Sequence, residues 1–188
     1  MVDIPLTPSS LVALSPSALH RLRDSAGAQI LQDAGYAAGD DAYRSFAGWL
    51  PVVAGVENPG ELAASRLAEM LSRFFSSLGW GGVAVSQLSD AVVAVDSADW
   101  AEAQPGAGVQ FPSCSFTSGL LADFFTRLGD APLAVMEVEC RSRDDARCRW
   151  LVGAPESLTA LYEHMAQGAD YLIVLGGNNR AGQVMART

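Results

Sequence analysis

The most restrictive feature of the sequence is the segment 132–153, PLAVMEVECRSRDDARCRWLVG, in which two β-rich runs flank an Asp-Asp pair. β-branched and aromatic residues suit a pleated, half-buried surface, and adjacent aspartates favour a tight turn. The segment therefore predicts an antiparallel β-hairpin. Such a hairpin brings Cys140, on its first strand, close to Cys148, on its second strand.

Helical periodicity surrounds this hairpin. The first helix is predicted from Pro16 to Pro51, with Ser15 as its N-cap. Gly35 and Gly39 lie inside it and predict a kink or a close contact with another element. Three further segments carry apolar residues at the three- and four-residue spacing of a helix: 58–82, 114–129 and 155–168.

The remaining β-rich runs complete the predicted architecture. VAVSQLS (83–89) and AVVAVDS (91–97) predict two strands joined by a turn at Asp90, and DYLIVLGG (170–177) predicts a last short strand. The order is helices, strand pair, helix, hairpin and helix. This order predicts an α+β domain in which an antiparallel sheet packs against helices.

The length of 188 residues suits a single domain with its own core. We expect an N-terminal arm over 1–14, a ligand-binding domain over 15–176 and a C-terminal tail over 177–188. The opening MVDIPLTPSS lacks the regions of a secretory signal, and no apolar run reaches the roughly 18–20 residues of a membrane span. Three cysteines do not make a closed disulfide framework, so we expect a reducing, cytoplasmic setting.

Charge excludes several classes of function. The chain has 12 basic and 21 acidic residues, and every basic residue is arginine. A net charge of −9 disfavours binding to a phosphate backbone. The lack of lysine excludes Schiff-base chemistry and a P-loop. No dinucleotide fingerprint or iron–sulfur spacing is present, so the sequence favours a binding protein over an enzyme and predicts no catalytic residue.

The three cysteines admit four interpretations: buried apolar filler, disulfide, nucleophile or metal site. The expected compartment disfavours a disulfide. A nucleophile needs a base, and neither His20 nor His164 belongs to a recognisable motif with a cysteine. Buried filler and a metal site both stay open on spacing alone.

A metal site would use all three thiols and one carboxylate. Zinc takes four ligands in a tetrahedron, and thiolates with one oxygen ligand satisfy it. Cys114 begins a predicted helix, where free N–H groups and the helix dipole favour the thiolate. Glu137 or Glu139 supplies the fourth ligand. The arginines of the hairpin either offset the negative charge of such a site or form a solvated face: Arg141, Arg143, Arg147 and Arg149.

CSFTSGLL (114–121) followed by EVECRSRDDARCRW (137–150) resembles the 4-vinyl reductase domain family. It also resembles the related sensor domains of phenol- and toluene-responsive transcription activators. AGAQILQDAGYAAGDDAYRSF (26–46) is similar to the N-terminal helix of the same family. The resemblance implies an α+β fold related to a TRAPP subunit, a homodimer and a zinc ion held by three cysteines and a glutamate.

The family's ligand spacing is a cysteine, then Glu-x-x-Cys, then seven residues and a last cysteine. The resemblance therefore implies that the zinc ligands are Cys114, Glu137, Cys140 and Cys148, and it selects Glu137 over Glu139. Residues three apart on a regular strand face opposite sides. Glu137 and Cys140 therefore converge only if the strand bulges, twists or ends between them.

A zinc site whose four positions are all filled by protein is structural, so we expect function to lie in a neighbouring cavity. We predict a sensor or binding protein for a small hydrophobic or aromatic molecule, which could signal to a protein partner. The alternatives are a carrier, chaperone or reductase-associated factor in tetrapyrrole (bacteriochlorophyll) synthesis, or a TRAPP-like interaction module. The predicted ligand contacts are six aromatic residues: Trp49, Phe74, Trp80, Phe116, Phe124 and Trp150.

Overall fold

The fold comes from a computed structural model that describes residues 14–176. The predicted arm and tail therefore lie outside the described residues, apart from Leu14. The helices are α1 (Pro16–Ala26), α2 (Ala28–Ala54), α3 (Ala64–Ser77), α4 (Ser115–Gly129) and α5 (Pro155–Ala166), and residues 171–176 form a further helical segment. The strands are β1 (Ala84–Gln87), β2 (Val92–Ser97), β3 (Ala134–Glu139) and β4 (Cys148–Gly153).

The four strands form one antiparallel sheet in the order β1-β2-β4-β3. Both predicted strand pairs are present, one turning at Asp90 and the other forming the predicted hairpin. In that hairpin, a 3-10 turn at Arg141–Arg143 is followed by Asp144 in the left-handed conformation, with φ of 66°. The predicted α+β class is confirmed.

Helices cover both faces of the sheet, and the alternation of β4 divides the core in two. Trp150 and Val152 pack into a large aromatic cluster with residues of α2, α3 and α4. Leu151 points to the other face, where a smaller apolar cluster includes Leu161 of α5 and Leu175 of the 171–176 segment. This alternation follows from the period of two in a strand.

Helices α2 and α4 approach each other through glycines. A Cβ atom added to Gly35 would lie 2.0 Å from the carbonyl oxygen of Phe116, and one added to Gly119 would lie 2.0 Å from that of Gln32. Because any larger residue would clash with backbone, these positions require glycine. The close contact predicted at Gly35 and Gly39 is confirmed, and it places the start of α4 firmly against α2.

The first predicted helix differs from the structure in two places. Gly27, with φ of 82°, ends α1 and begins α2, because glycine adopts this backbone conformation at little cost. Pro51 does not end the helix, which continues to Ala54 and is capped by Gly55. Proline removes a hydrogen bond to the preceding turn but leaves the following residues free to continue the helix.

The strand predicted at 170–177 is wrong, because residues 171–176 are helical. Asp170 acts as an N-cap, since its side chain accepts hydrogen bonds from the backbone N–H groups of Leu172 (2.8 Å) and Ile173 (3.3 Å). Tyr171 and Leu175, four residues apart, are the buried pair. The β-rich composition of the run concealed this helical spacing.

Among the described residues, none of the helices combines the length and apolar character that crossing a bilayer requires.

Candidate metal centre

Four side chains with metal-ligand chemistry converge between the start of α4 and the β3–β4 hairpin. Cys114 is the N-cap of α4, Glu137 lies in β3, Cys140 follows β3, and Cys148 begins β4. Each offers a ligand atom, and these four atoms lie within 4.8 Å of one another. The three cysteines are fully buried and Glu137 is half-buried. The structure thus brings together the four residues that the sequence predicted as ligands.

A bulge in β3 makes this convergence possible. Glu137 pairs with Trp150 and Glu139 pairs with Arg149, so two steps along β3 match one step along β4. The extra residue reverses the alternation of side chains. Glu137 and Cys140 therefore share the face of the sheet that Trp150 occupies, while Glu139 faces the other side.

The sulfur positions match a tetrahedral site. Cys114 Sγ lies 3.8 Å from Cys140 Sγ and 3.9 Å from Cys148 Sγ. Zinc–sulfur bonds of about 2.3 Å in a regular tetrahedron place sulfurs about 3.8 Å apart. The spacing is also far beyond a disulfide bond of about 2.05 Å. Backbone N–H of Arg141 donates to Cys148 Sγ at 3.5 Å, an interaction that stabilises a thiolate.

Glu137 presents one hydrogen-bonded oxygen and one oxygen without a partner. Its Oε2 accepts a hydrogen bond of 2.8 Å from the backbone N–H of Cys114. Its Oε1 is buried and has no hydrogen-bond partner within the described part of the chain. A buried oxygen without a partner is costly, and a cation among the three sulfurs would satisfy it. The donor set of three thiolates and one carboxylate fits zinc.

The protonation of the cluster is arranged around Cys140. Hydrogen bonds from the Cys114 and Cys148 thiols hold the pKa of the Cys140 thiol far below its usual range. The same contact with Cys140 raises the pKa of the Cys114 thiol. Burial, together with the charge of Cys140, raises the pKa of Glu137 to about 9. A metal ion must therefore displace protons from this cluster, so its affinity should fall as pH falls.

The hairpin arginines do not form a solvated face, nor do their side chains surround the sulfurs. Arg143 bonds to Asp145 and to the carbonyl of Val138. Arg147 and Arg149 lie on the opposite face of the sheet, where they pair with acidic residues. The charge of the cluster is instead met by backbone N–H groups at the start of α4.

Glu102 is a buried residue that sequence reasoning missed. It is 1% exposed, and its carboxylate accepts hydrogen bonds from the backbone N–H groups of Phe116 (3.0 Å) and Thr117 (2.8 Å). Thr117 Oγ1 also donates to it and accepts from Trp100 Nε1. Burial raises the pKa of Glu102 to about 6. Glu102 thus caps α4 beside Cys114 from a loop that carried no local signal for this role.

The six predicted ligand contacts all lie in or against the large aromatic cluster. Trp49, Phe74, Phe124 and Trp150 are buried within it. The indole Nε1 atoms of Trp49 and Trp150 are buried without a hydrogen-bond partner in residues 14–176.

Trp80 and Phe116 are half-buried at the margin of this cluster. Trp80 stacks on Phe116 with ring centroids 5.8 Å apart, and on Trp100 at 5.5 Å. The structure therefore assembles all six residues around one core rather than scattering them over the surface.

A cavity of about 300 Å³ lies elsewhere, on the opposite face of the sheet. Its lining includes Val92, Leu161 and Leu175, with His164 and Ser157 among the polar contributors. None of the six predicted aromatic contacts lines it.

Comparisons with known proteins agree with this geometry. Residues 101–154 match the model of the 4-vinyl reductase domain family, and this segment contains all four members of the metal cluster and Glu102. No curated protein is significantly similar to the chain.

Two solved structures resemble the chain. The phenol-responsive sensory domain of the transcription activator PoxR, crystallised with phenol, is 15% identical, with a TM-score of 0.55 over 78% of this chain and 77% of that chain. A vinyl-4-reductase family protein from Methanocaldococcus jannaschii is 17% identical, with a TM-score of 0.45 over 65% of this chain and 66% of that chain. The expected resemblance to the 4-vinyl reductase domain family is thus confirmed, and residues 101–154 are the segment that matches its model.

Proposed function

We propose that this protein is a zinc-containing sensor module that binds a small aromatic or hydrophobic molecule. The observation that carries the proposal is the register of Trp150 opposite Glu137. It places a buried indole N–H without a partner in residues 14–176 directly beside the metal cluster. A ligand oxygen that accepted this hydrogen bond would satisfy a donor that otherwise costs free energy.

Zinc in this site would be structural. Cys114, Glu137, Cys140 and Cys148 would fill all four positions of a tetrahedral ion, leaving none for substrate or water. The ion would tie α4 to both strands of the hairpin. It would thereby hold Trp150, on β4, against the aromatic cluster.

The chemistry of the cluster favours an aromatic ligand with one polar group. Edge-to-face and tilted contacts surround Phe124 and Phe74, and aromatic rings pack favourably in such arrangements. The indole N–H groups of Trp49 and Trp150 offer the polar contacts. Phenol has this chemistry, and the PoxR sensory domain, which has a similar fold, is described as phenol-responsive.

Calorimetric titration of the zinc-loaded full chain with phenol tests the proposal, with native mass spectrometry and elemental analysis of protein isolated without chelator. We expect about one zinc per chain and saturable phenol binding. Phenol and toluene titrations without heat, together with no copurified small molecule, would reject the ligand-binding role.

A second function is favoured by one contact set. Trp80 lies between Trp100 and Phe116 in a stacked arrangement, so side chains of the chain itself fill this margin of the core. A TRAPP-like interaction module would have such a filled core and no ligand. Failure to bind phenol or toluene, with zinc present, would favour this alternative.

The proposal includes a homodimer as the functional state. Light scattering at micromolar concentration should then report twice the chain mass of 19.7 kDa. A mass equal to one chain would remove the dimer from the proposal without affecting the zinc site.

A further inference from the structure

A polar network occupies the face of the sheet opposite the metal cluster. The Nε and Nη2 atoms of Arg149 each donate to the carboxylate of Asp96 at 2.6 Å, and Nη1 donates to Tyr171 Oη at 3.1 Å. The Tyr171 hydroxyl donates in turn to Glu139 Oε1. Arg147 Nε lies 3.0 Å from Glu139 Oε2. Tyr171 therefore fastens the helical segment 171–176 to β3 and β4.

Members of this network are sequence neighbours of the metal-cluster residues. Glu139 precedes Cys140, while Arg147 and Arg149 flank Cys148. Adjacent residues of a strand point to opposite faces. The metal cluster and the polar network are therefore two faces of the same strand pair.

The bulge in β3 determines both faces. It places Glu137 and Cys140 on the metal side and leaves Glu139 opposite Arg149 on the other. A shift of one residue in register moves side chains to the opposite face. If the bulge were lost, Glu137 and Cys140 would no longer point the same way, and Glu139 would lose its place beside Tyr171.

We propose that zinc binding and the docking of residues 171–176 are coupled through this bulge, with Tyr171 as the positioning residue. Zinc favours the bulged register because it needs Glu137 and Cys140 together. The Tyr171–Glu139 contact favours the same register from the other face. The coupling rests on the zinc site of the proposed function and assigns it a consequence: zinc loss loosens the C-terminal helical segment.

The segment covers apolar surface that loosening would expose. Tyr171 and Leu175 are both buried and pack in the cluster with Val92, Leu158 and Leu161. The release of 171–176 would uncover these side chains. The state of a buried metal site would in this way become visible at the opposite surface of the domain.

The test uses the zinc-loaded full chain and the substitution Tyr171→Phe, which keeps the buried ring and removes the hydroxyl. Two variants serve as controls. Tyr162→Phe makes the same change at an exposed tyrosine of α5 (61% exposed), and Leu158→Ala weakens the same apolar cluster without touching the polar network. Zinc affinity is measured by competition with a chromophoric chelator, and hydrogen exchange is followed at residues 172–174.

We expect Tyr171→Phe to lower zinc affinity about fivefold or more and to accelerate exchange at 172–174, because coupling between two sites is reciprocal. Both controls should keep the zinc affinity of the wild type. Equal zinc affinity in Tyr171→Phe and wild type would overturn the coupling while leaving the zinc site intact. An affinity lost equally in Leu158→Ala would also overturn it, since general destabilisation would then explain the effect. A wild-type chain without zinc would overturn the coupling and the zinc part of the proposed function together.

Discussion

The sulfur atoms of Cys114 and Cys140 lie 3.8 Å apart although the two residues are 26 positions apart in the chain. One belongs to the start of α4 and the other to the end of β3, so their contact joins the helical layer to the sheet. Cys148 and Glu137 complete the group from the same hairpin. A metal at this point would be a cross-link between layers.

Replacing Cys140 with serine should remove most of the zinc and destabilise the fold. The change leaves three of the four ligands, and structural zinc sites contribute apparent binding free energies of roughly 10–16 kcal/mol. We therefore expect the free energy of unfolding to fall by several kcal/mol, measured by urea denaturation, with zinc determined by elemental analysis. Ser113→Ala is the matched control, because Ser113 Oγ lies 3.8 Å from Cys140 Sγ without belonging to the cluster. Undiminished zinc in Cys140→Ser would contradict the ligand assignment.

Replacing Gly119 with alanine should separate α2 from α4. The new Cβ would lie 2.0 Å from the Gln32 carbonyl oxygen, so one helix must move. We expect a loss of about 3 kcal/mol or more, at or beyond the usual cost of overpacking. Gly48→Ala on α2 is the control, since its Cβ would meet nothing within 4 Å. That change should stabilise the helix by about 1 kcal/mol, and equal melting temperatures for the two variants would refute the close approach.

Glu102 should make stability depend on pH. Burial raises its pKa from 4.5 to about 6, so the folded protein holds the proton more tightly than the unfolded chain. The associated stability is fully present below pH 4.5 and is lost as pH rises through about 6. The loss amounts to about 2 kcal/mol at 1.36 kcal/mol per pKa unit.

Denaturation of wild type and Glu102→Gln across this range measures the effect. The difference in unfolding free energy between the two proteins should change by about 2 kcal/mol in favour of the variant as pH rises, because glutamine does not titrate. Comparing the two proteins at each pH cancels the contribution of the metal ligands. A difference that stays constant from below pH 4.5 to above pH 6 would show that Glu102 does not titrate in this range.

Trp150 should be required for phenol binding and dispensable for zinc. Trp150→Phe keeps an aromatic ring in the core but removes the buried N–H that has no partner elsewhere in residues 14–176. We expect phenol affinity to fall about tenfold, as the loss of one hydrogen bond of roughly 1.4 kcal/mol implies. Trp100→Phe is the control, because the Trp100 N–H is already bonded to Thr117 at 2.6 Å. Unchanged phenol affinity in Trp150→Phe would exclude this indole as the polar contact.

The hairpin, the helical periodicities and the four metal-cluster residues were predictable from the sequence, because each depends on local spacing or on a pattern within one stretch of chain. Ser15 was correctly predicted to cap α1, since its side chain accepts a hydrogen bond from Ala18 N–H three residues away. The continuation of α2 past Pro51 and the helix at 171–176 were not predicted. In both, packing of one helical face outweighed the local preferences of proline and of β-branched residues.

Sequence alone determined which residues were available as ligands and that Glu137 and Cys140 needed an irregular strand to meet. Only the tertiary structure decided that β3 bulges between Glu137 and Glu139, that Glu102 caps α4 from a distant loop, and that Tyr171 reaches the back of the same hairpin. These three facts depend on contacts between residues far apart in the chain. Such contacts form only when two layers pack, and no local pattern of residues encodes where the layers will meet.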